Sequence, residues 1–210
     1  MNSVRAPSMR LIVNADDLGY TEGVSRGILE AHRRGIVTST SLMVDRPAAE
    51  HGVALAGDAP RLSVGLHAVL DGVTPGRTEE ELTRQLARFE ELMGARATHV
   101  DSHHHAHREP GIREVFVAFA DRNSLPAREH TVAHDPRYYG APAIGVERLL
   151  EILGSLAEGD TELSCHPGHA AGLSSSYAVE REQELRSLTD PRVRALIDEL
   201  EIELIGWGEL

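Results

Sequence analysis

A single cysteine, Cys165, leaves this 210-residue chain without an internal disulfide, so its stability has to come from packing. Basic residues are scarce: 21 Lys and Arg stand against 33 Asp and Glu, a net charge of -12, which leaves no basic stripe for nucleic acid or an anionic membrane surface. No apolar run approaches the ~18 to 20 residues of a membrane helix. Residues 1–8 lack the apolar stretch of a secretion signal, so a cytoplasmic location is expected. Aromatic residues make up 4% of the chain, too few for a long groove that stacks many sugar rings, although Tyr20, Tyr138, Tyr139 and Trp207 could each offer one platform. The length suits one domain, here residues 9–210 behind a flexible segment 1–8, and leaves homodimerisation open.

Histidine, by contrast, is concentrated. THVDSHHHAH, residues 98–107, carries five imidazoles and one carboxylate. Imidazole is the commonest metal ligand among side chains, and the run is internal, so it is not a terminal tag. The competing reading is a solvated His-rich loop.

Short β-branched runs alternate with longer amphipathic stretches, the rhythm of a parallel α/β fold. Strands are predicted over 9–15, 36–44, 61–66, 98–101, 125–128, 161–165 and 202–205, and helices over 23–34, 47–56, 78–93, 112–122 and 146–157, with the last helices within 174–200. Thr78 and Glu81 have the spacing of a capping box, Leu82, Leu86, Phe89 and Met93 form an apolar face, and Gly94 ends that helix. About seven βα units favour a closed or nearly closed TIM-like (β/α) barrel over an open doubly wound sheet. The polar residues agree, because Asp16, Asp17, His67, Asp101, His103, Arg128 and His166 all follow or end predicted strands, and in a barrel those ends share one mouth.

Two adjacent carboxylates at the end of an apolar strand, Asp16 and Asp17, repel unless a cation or proton compensates, although an Asx turn or a helix N-cap would also use one of them. His67 alone reads as a packed core histidine, and beside the other clusters as a ligand. One carboxylate and two imidazoles with open positions are the pattern of a catalytic divalent-metal site. Asp101 suits a partner that orients a ligand imidazole. His104, His105 and His107 cannot all be ligands on one short loop; His105 is expected to face the site and His104 to be structural or exposed. Arg128 could contact an oxyanion or a substrate hydroxyl, or pair with Asp16 or Asp101. Cys165 reads as core rather than nucleophile.

The blocks NADDLGYTEGVSRGILEAHRRGIVTSTSLMV, VGLH, THVDSHHHAH and ELSCHPG, with LPAR, YYG and LTDP at Leu125, Tyr138 and Leu188, resemble the YdjC-like, ChbG-type carbohydrate deacetylase family over nearly the whole chain. The resemblance implies a deformed barrel related to polysaccharide deacetylases and one divalent ion, Mg²⁺ first with Zn²⁺ or another transition metal as alternatives. It implies Asp17, His67 and His103 as metal ligands, Asp16 as catalytic aspartate, His166 as acid or polarising group, and an N-acetylglucosamine-type sugar as substrate. The segment after the VGLH block, residues 68–77, is shorter than the family pattern, which puts substrate size in question because loops after barrel strands set specificity.

In that reading Asp16 takes a proton from the attacking water, the cation stabilises the tetrahedral oxyanion, and His166 protonates the leaving amine. Arg128 is included with the catalytic group, and Tyr20 with His105 and Asp101 around it. The alternatives are another metal-dependent hydrolase or isomerase on a similar barrel, or a sugar-binding barrel without catalysis.

Overall fold

The computed structural model describes residues 9–210; the segment 1–8, expected to be flexible, lies outside the described residues. In chain order the strands are β1 (Met9–Leu18), β2 (Ser39–Leu42), β3 (Ser63–Ala68), β4 (Val100–Ser102), β5 (Ala133–Asp135), β6 (Gly159–Cys165) and β7 (Glu203–Leu204). The helices are α1 (Glu22–Arg34), α2 (Ala49–Gly57), α3 (Thr78–Met93), α4 (Arg113–Arg122), α5 (Val146–Leu153), α6 (Ala178–Leu188) and α7 (Pro191–Glu199). All strand pairs are parallel, in the order β4-β3-β2-β1-β6-β5, with β7 beside the start of β1. The sheet curls, and isolated parallel bridges Val100–Ala127 and Arg128–Val132 carry it from the β4 edge towards β5. This is the expected α/β barrel, deformed where those bridges replace a regular strand.

β1 is the axis of the sheet. Every residue from Leu11 to Leu18 is buried, and both Leu-Ile-Val and the polar Asn14-Ala15-Asp16-Asp17 lie on this one strand. Parallel strands covered by helices on the outside and by packed side chains within need near-continuous apolar runs, which explains the first half but not the second. α1 begins where Thr21 Oγ1 accepts the Val24 N–H at 3.1 Å. It lies so close to the loop after β6 that a Cβ on Gly27 would stand 2.5 Å from the Gly168 backbone. That glycine lets the first helix and the sixth strand end meet.

Two expectations need correction. The strand predicted at 125–128 is reduced to two bridges, because Pro126 has no N–H for a ladder and the Ala127 N–H is taken by Thr131 Oγ1 at 2.9 Å. The fifth strand is instead Ala133–Asp135, three residues with too little apolar pattern to be read. Thr78 is not an N-cap: a 3-10 turn, Pro75–Arg77, runs directly into α3, so the Thr78 N–H goes to Pro75 O and its hydroxyl to Thr74 O at 3.2 Å.

The end of the barrel opposite the mouth is closed by the carboxyl terminus. Trp207 is 1% exposed, packs with Ile12, Val132 and Ile205, and stacks on the His99 ring with centroids 4.9 Å apart. It is therefore core, not a sugar platform. Tyr138 is likewise buried, its hydroxyl donating to Ile144 O at 3.2 Å. A Cβ on Gly65 would sit 2.4 Å from the His99 ring, which Trp207 blocks from behind. Gly65→Ala is expected to cost about 1 to 3 kcal/mol through overpacking, read as a lower midpoint in chemical denaturation; an unchanged midpoint would show that the His99 ring can move aside.

Candidate metal centre and active site

β1 delivers both carboxylates to the cleft by breaking its own alternation. Successive side chains on a regular strand point to opposite faces. The register of β1 against β2 shifts between Ala15 and Leu18, and Asp17 adopts a left-handed φ of 76°, so Asp16 and Asp17 both line the cleft. That backbone cost is one only a strongly held side chain would bear. Asp17 is held by Arg181, whose Nη2 donates to Oδ2 at 2.5 Å.

The other carboxylate oxygen, Asp17 Oδ1, is buried without a hydrogen-bond partner. It lies 3.4 Å from His67 Nε2 and 3.3 Å from His103 Nδ1, and those two nitrogens are 3.3 Å apart. Three donors at the corners of such a triangle suit one cation at bond lengths of about 2.0 to 2.2 Å. The donor set therefore fits the divalent ion that the sequence implies. His67 is fixed from behind, with Nδ1 2.7 Å from Asp101 Oδ1, while Asp101 Oδ2 accepts from Ser41 Oγ at 2.9 Å. This is the carboxylate–imidazole arrangement that orients a metal ligand. Burial alone would lower the His67 pKa, yet Asp101, Asp17 and Asp16 raise it to about 10. Without a metal, a proton serves as the cation there.

Beneath the cleft lies Arg128, fully buried. Its Nη1 and Nη2 donate to Asp16 Oδ2 and Oδ1 at 2.8 and 2.7 Å, Nη2 also reaches Asp101 Oδ2 at 2.9 Å, and Nε with Nη2 reaches Glu162 Oε1 at 3.0 and 2.8 Å. The structure shows Arg128 in ion pairs: Nε, Nη1 and Nη2 each donate to a protein carboxylate, and the buried side chain lies beneath the cleft without lining it. Asp16 also accepts from Asn14 Nδ2 at 2.8 Å. Burial opposes ionisation of Asp16, but Arg128 holds its pKa well below the carboxylate range. His166 Nε2 is 3.8 Å from Asp16 Oδ2, and burial lowers the pKa of this imidazole despite Asp16 and Asp17.

Asp16, Asp17, His67, His103 and His166 line a cleft of about 580 Å³, within the usual size of a small-ligand site. Tyr20 is on its wall, with the guanidinium carbons of Arg46 and Arg181 over its ring at 5.1 and 5.5 Å from the centroid. His105 and His104 both line it, His104 at the open rim, where it is 70% exposed beside Asp71. Cys165 is buried, with burial pushing its thiol pKa up, as a core cysteine would be.

The sequence profile described as YdjC-like protein matches residues 10–80 and 72–199. The chain belongs to the YdjC-like family. It is 37% identical to a carbohydrate deacetylase of Geobacillus stearothermophilus over 240 positions, 94% of this chain and 96% of that one. It is 36% identical to a chitooligosaccharide deacetylase of Serratia marcescens over 90% of this chain and 94% of the relative. An alignment of 240 positions exceeds the 210 residues here, so the Geobacillus protein carries segments that this chain omits. Among solved structures, a protein of Enterococcus faecalis V583 described as a cellobiose-phosphate cleavage protein superposes with a TM-score of 0.88 at 26% identity, covering 96% of this chain and 98% of that one. A family 4 carbohydrate esterase of Streptomyces lividans, in complex with acetate, shares the fold with a TM-score of 0.64 at 14% identity, covering 96% and 93%.

Sequence reasoning missed several residues of this YdjC-like cleft. Glu162 lies on β6, Tyr177 directly before α6, and Arg181 and Glu184 on α6, where a lone polar residue gives no local sign of burial. Glu184 is wholly buried, accepting the His166 N–H at 2.5 Å and the Tyr177 hydroxyl at 2.7 Å, and burial raises its pKa to about 7. Only the alternation of β6 could have flagged Glu162, which is buried between Thr161 and Leu163.

Burial likewise raises the Glu162 pKa from 4.5 to about 7 even beside Arg128. In the metal-free protein its protonation therefore favours folding, a contribution complete below about pH 4.5 and lost as the pH rises through about 7. Asp16 acts in the opposite sense, contributing above about pH 3.8 and fading as the pH falls. Glu162→Gln should flatten the decline in stability between about pH 5 and 8 and leave the acid limb in place. Urea titrations across that range check it, and an unchanged decline in the variant would assign the slope elsewhere.

Proposed function

We propose that this chain is a metal-dependent carbohydrate deacetylase that hydrolyses the N-acetyl group of an N-acetylglucosamine-type mono- or oligosaccharide. The observation that carries the reading is the unpartnered Asp17 Oδ1, set against His67 Nε2 and His103 Nδ1 and flanked in the same cleft by Asp16 and His166. The deacetylase names of the relatives support the substrate class.

Asp17, His67 and His103 would hold the ion, with Asp101 orienting His67. A divalent ion there supplies Lewis acidity towards the acetyl carbonyl and makes a nearby water more acidic. Asp16, kept ionised by Arg128, receives the proton of the attacking water. His166 gives a proton to the departing amine nitrogen. Arg128 holds Asp16 and Asp101 in place and does not touch the substrate. Two imidazoles and one carboxylate suit Zn²⁺ or another transition ion better than Mg²⁺, which prefers oxygen donors.

The depressed pKa of His166 favours a second assignment, in which the neutral imidazole takes the water proton and Asp16 stabilises the resulting imidazolium. The pH profile separates them: as the acid, His166 makes kcat/KM fall with rising pH through its pKa, and as the base it makes kcat/KM rise.

Acetate release from a panel of N-acetylated sugars tests the function. His67→Ala is expected to abolish metal binding at the Asp17 site, and Asp16→Asn to keep metal and fold while lowering turnover by roughly 10² to 10⁴. Undiminished metal in the first or near-normal turnover in the second would remove the corresponding role.

Tyr139, 62% exposed, stacks on Tyr177 with centroids 5.3 Å apart beside His166, which gives the rim one aromatic platform. Binding energy should therefore come from one or two sugar units, with kcat/KM levelling off at the disaccharide. A steep rise along longer chains would contradict it.

A further inference from the structure

His105, His107, Glu129 and His134 have no part in the chemistry above. The turn His103–Arg108 is interrupted by two consecutive left-handed residues, His104 with φ 53° and His105 with φ 52°. The break sends the imidazoles in different directions: His103 to Asp17, His104 outwards, and His105 and His107 towards each other, their rings edge to face at 5.6 Å. Glu129, also left-handed with φ 60°, turns the segment after Arg128 towards the same place. His134 meets His105 with ring centroids 5.4 Å apart, and its Nδ1 is 3.5 Å from Glu129 Oε1. His107 Nε2 is 3.8 Å from Glu129 Oε2. One donor atom each from His105, His107 and Glu129 lie within 4.8 Å of one another.

Two further observations point to a ligand. His107 is wholly buried and its Nε2 has no hydrogen-bond partner; His105 Nδ1 is also buried and unpartnered. Burial of an unsatisfied polar atom costs about 1 to 3 kcal/mol unless something occupies it. The second nitrogens of two of these rings are fixed by serine hydroxyls, His107 Nδ1 by Ser102 Oγ at 2.6 Å and His134 Nε2 by Ser164 Oγ at 2.9 Å. With Nδ1–H donating to Ser102, the lone pair of His107 Nε2 faces Glu129. Outer hydrogen bonds of this kind set the ring orientation and tautomer of metal-ligating histidines. Arg108 engages Glu129 through Oε1 and leaves Oε2 towards His107. Access is open, since Arg108, Glu129 and His134 also line an adjoining surface depression of about 480 Å³.

We propose that His105, His107 and Glu129, with His134 alongside, form a second divalent-cation site in the wall of the same cleft, selective for a nitrogen-preferring ion such as Zn²⁺. Three imidazoles to one carboxylate make it more nitrogen-rich than the Asp17 site, which favours a borderline transition metal over Mg²⁺ or Ca²⁺. An ion there ties the turn that carries His103 to the segment that follows Arg128. The inference does not depend on the deacetylase reading, because it shares no ligand with Asp17, His67 and His103.

The test is zinc stoichiometry on the full chain, stripped with a chelator and dialysed against Zn²⁺, with circular dichroism to confirm folding. Wild type is expected to hold two zinc ions per chain, Asp17→Asn one, Glu129→Gln one, and the double variant none. His105→Gln gives a second route to the same loss if Glu129→Gln unfolds once Arg108 loses its partner. One zinc per wild-type chain, removed by Asp17→Asn, would overturn the proposal. So would a second equivalent that survives both Glu129→Gln and His105→Gln.

Discussion

Arg128 is a guanidinium without solvent, surrounded by the carboxylates of Asp16, Asp101 and Glu162. A planar fork of donors can serve three carboxylates at once in a way that a lysine ammonium cannot. Removing one partner from such a buried network leaves a charge uncompensated and typically costs about 3 to 5 kcal/mol. The geometry above depends on it. Asp101 orients His67, Asp16 faces the cleft, and the two carboxylates tolerate each other's proximity because the same cation lies beneath both. The floor of the site is thus an electrostatic unit, assembled from β1, β4, β6 and the irregular segment at Arg128.

That irregularity has a purpose in the geometry. A regular fifth strand would present Arg128 in a ladder like its neighbours. Pro126 and the Thr131 side chain shorten it to two bridges, and the left-handed Glu129 then turns the chain sharply away. The barrel is left deformed at the place where the Arg128 side chain enters it. A similar exchange of regularity for position occurs in β1, where the register shift turns both Asp16 and Asp17 to the cleft. In each case backbone strain is offset by charge-assisted hydrogen bonds, from Arg181 to Asp17 and from Arg108 to Glu129.

The histidine run shows how similar side chains acquire different roles. His99 shares its strand face with Asp101 but lies deeper in the barrel, at the end opposite the mouth, stacked on Trp207, where burial lowers its pKa to about 4. His103 joins Asp17 and His67. His104 is exposed, and His105 and His107 turn to Glu129. The first separation follows from depth along the strand, His99 lying one inward-facing position before Asp101 and so further from the mouth. The others follow from two left-handed residues in a row, a conformation that the sequence His-His-His does not announce.

The sequence by itself determined the parallel α/β class, most helix and strand centres, and the gathering of Asp16, Asp17, His67, Asp101, His103 and His166 at one mouth. Apolar periodicity and the parallel βα alternation suffice for that, since they place every strand end on the same side. The tertiary structure decided what each of these groups faces. It paired Arg128 with carboxylates, buried Trp207 at the end of the barrel opposite the mouth and Tyr138 in the cleft wall, and brought Glu162, Arg181 and Glu184 into contact with the site from distant parts of the chain. These contacts join residues up to 164 positions apart. A charged side chain costs little on the surface and a great deal inside, and only the assembled barrel specifies which of the two a given residue meets.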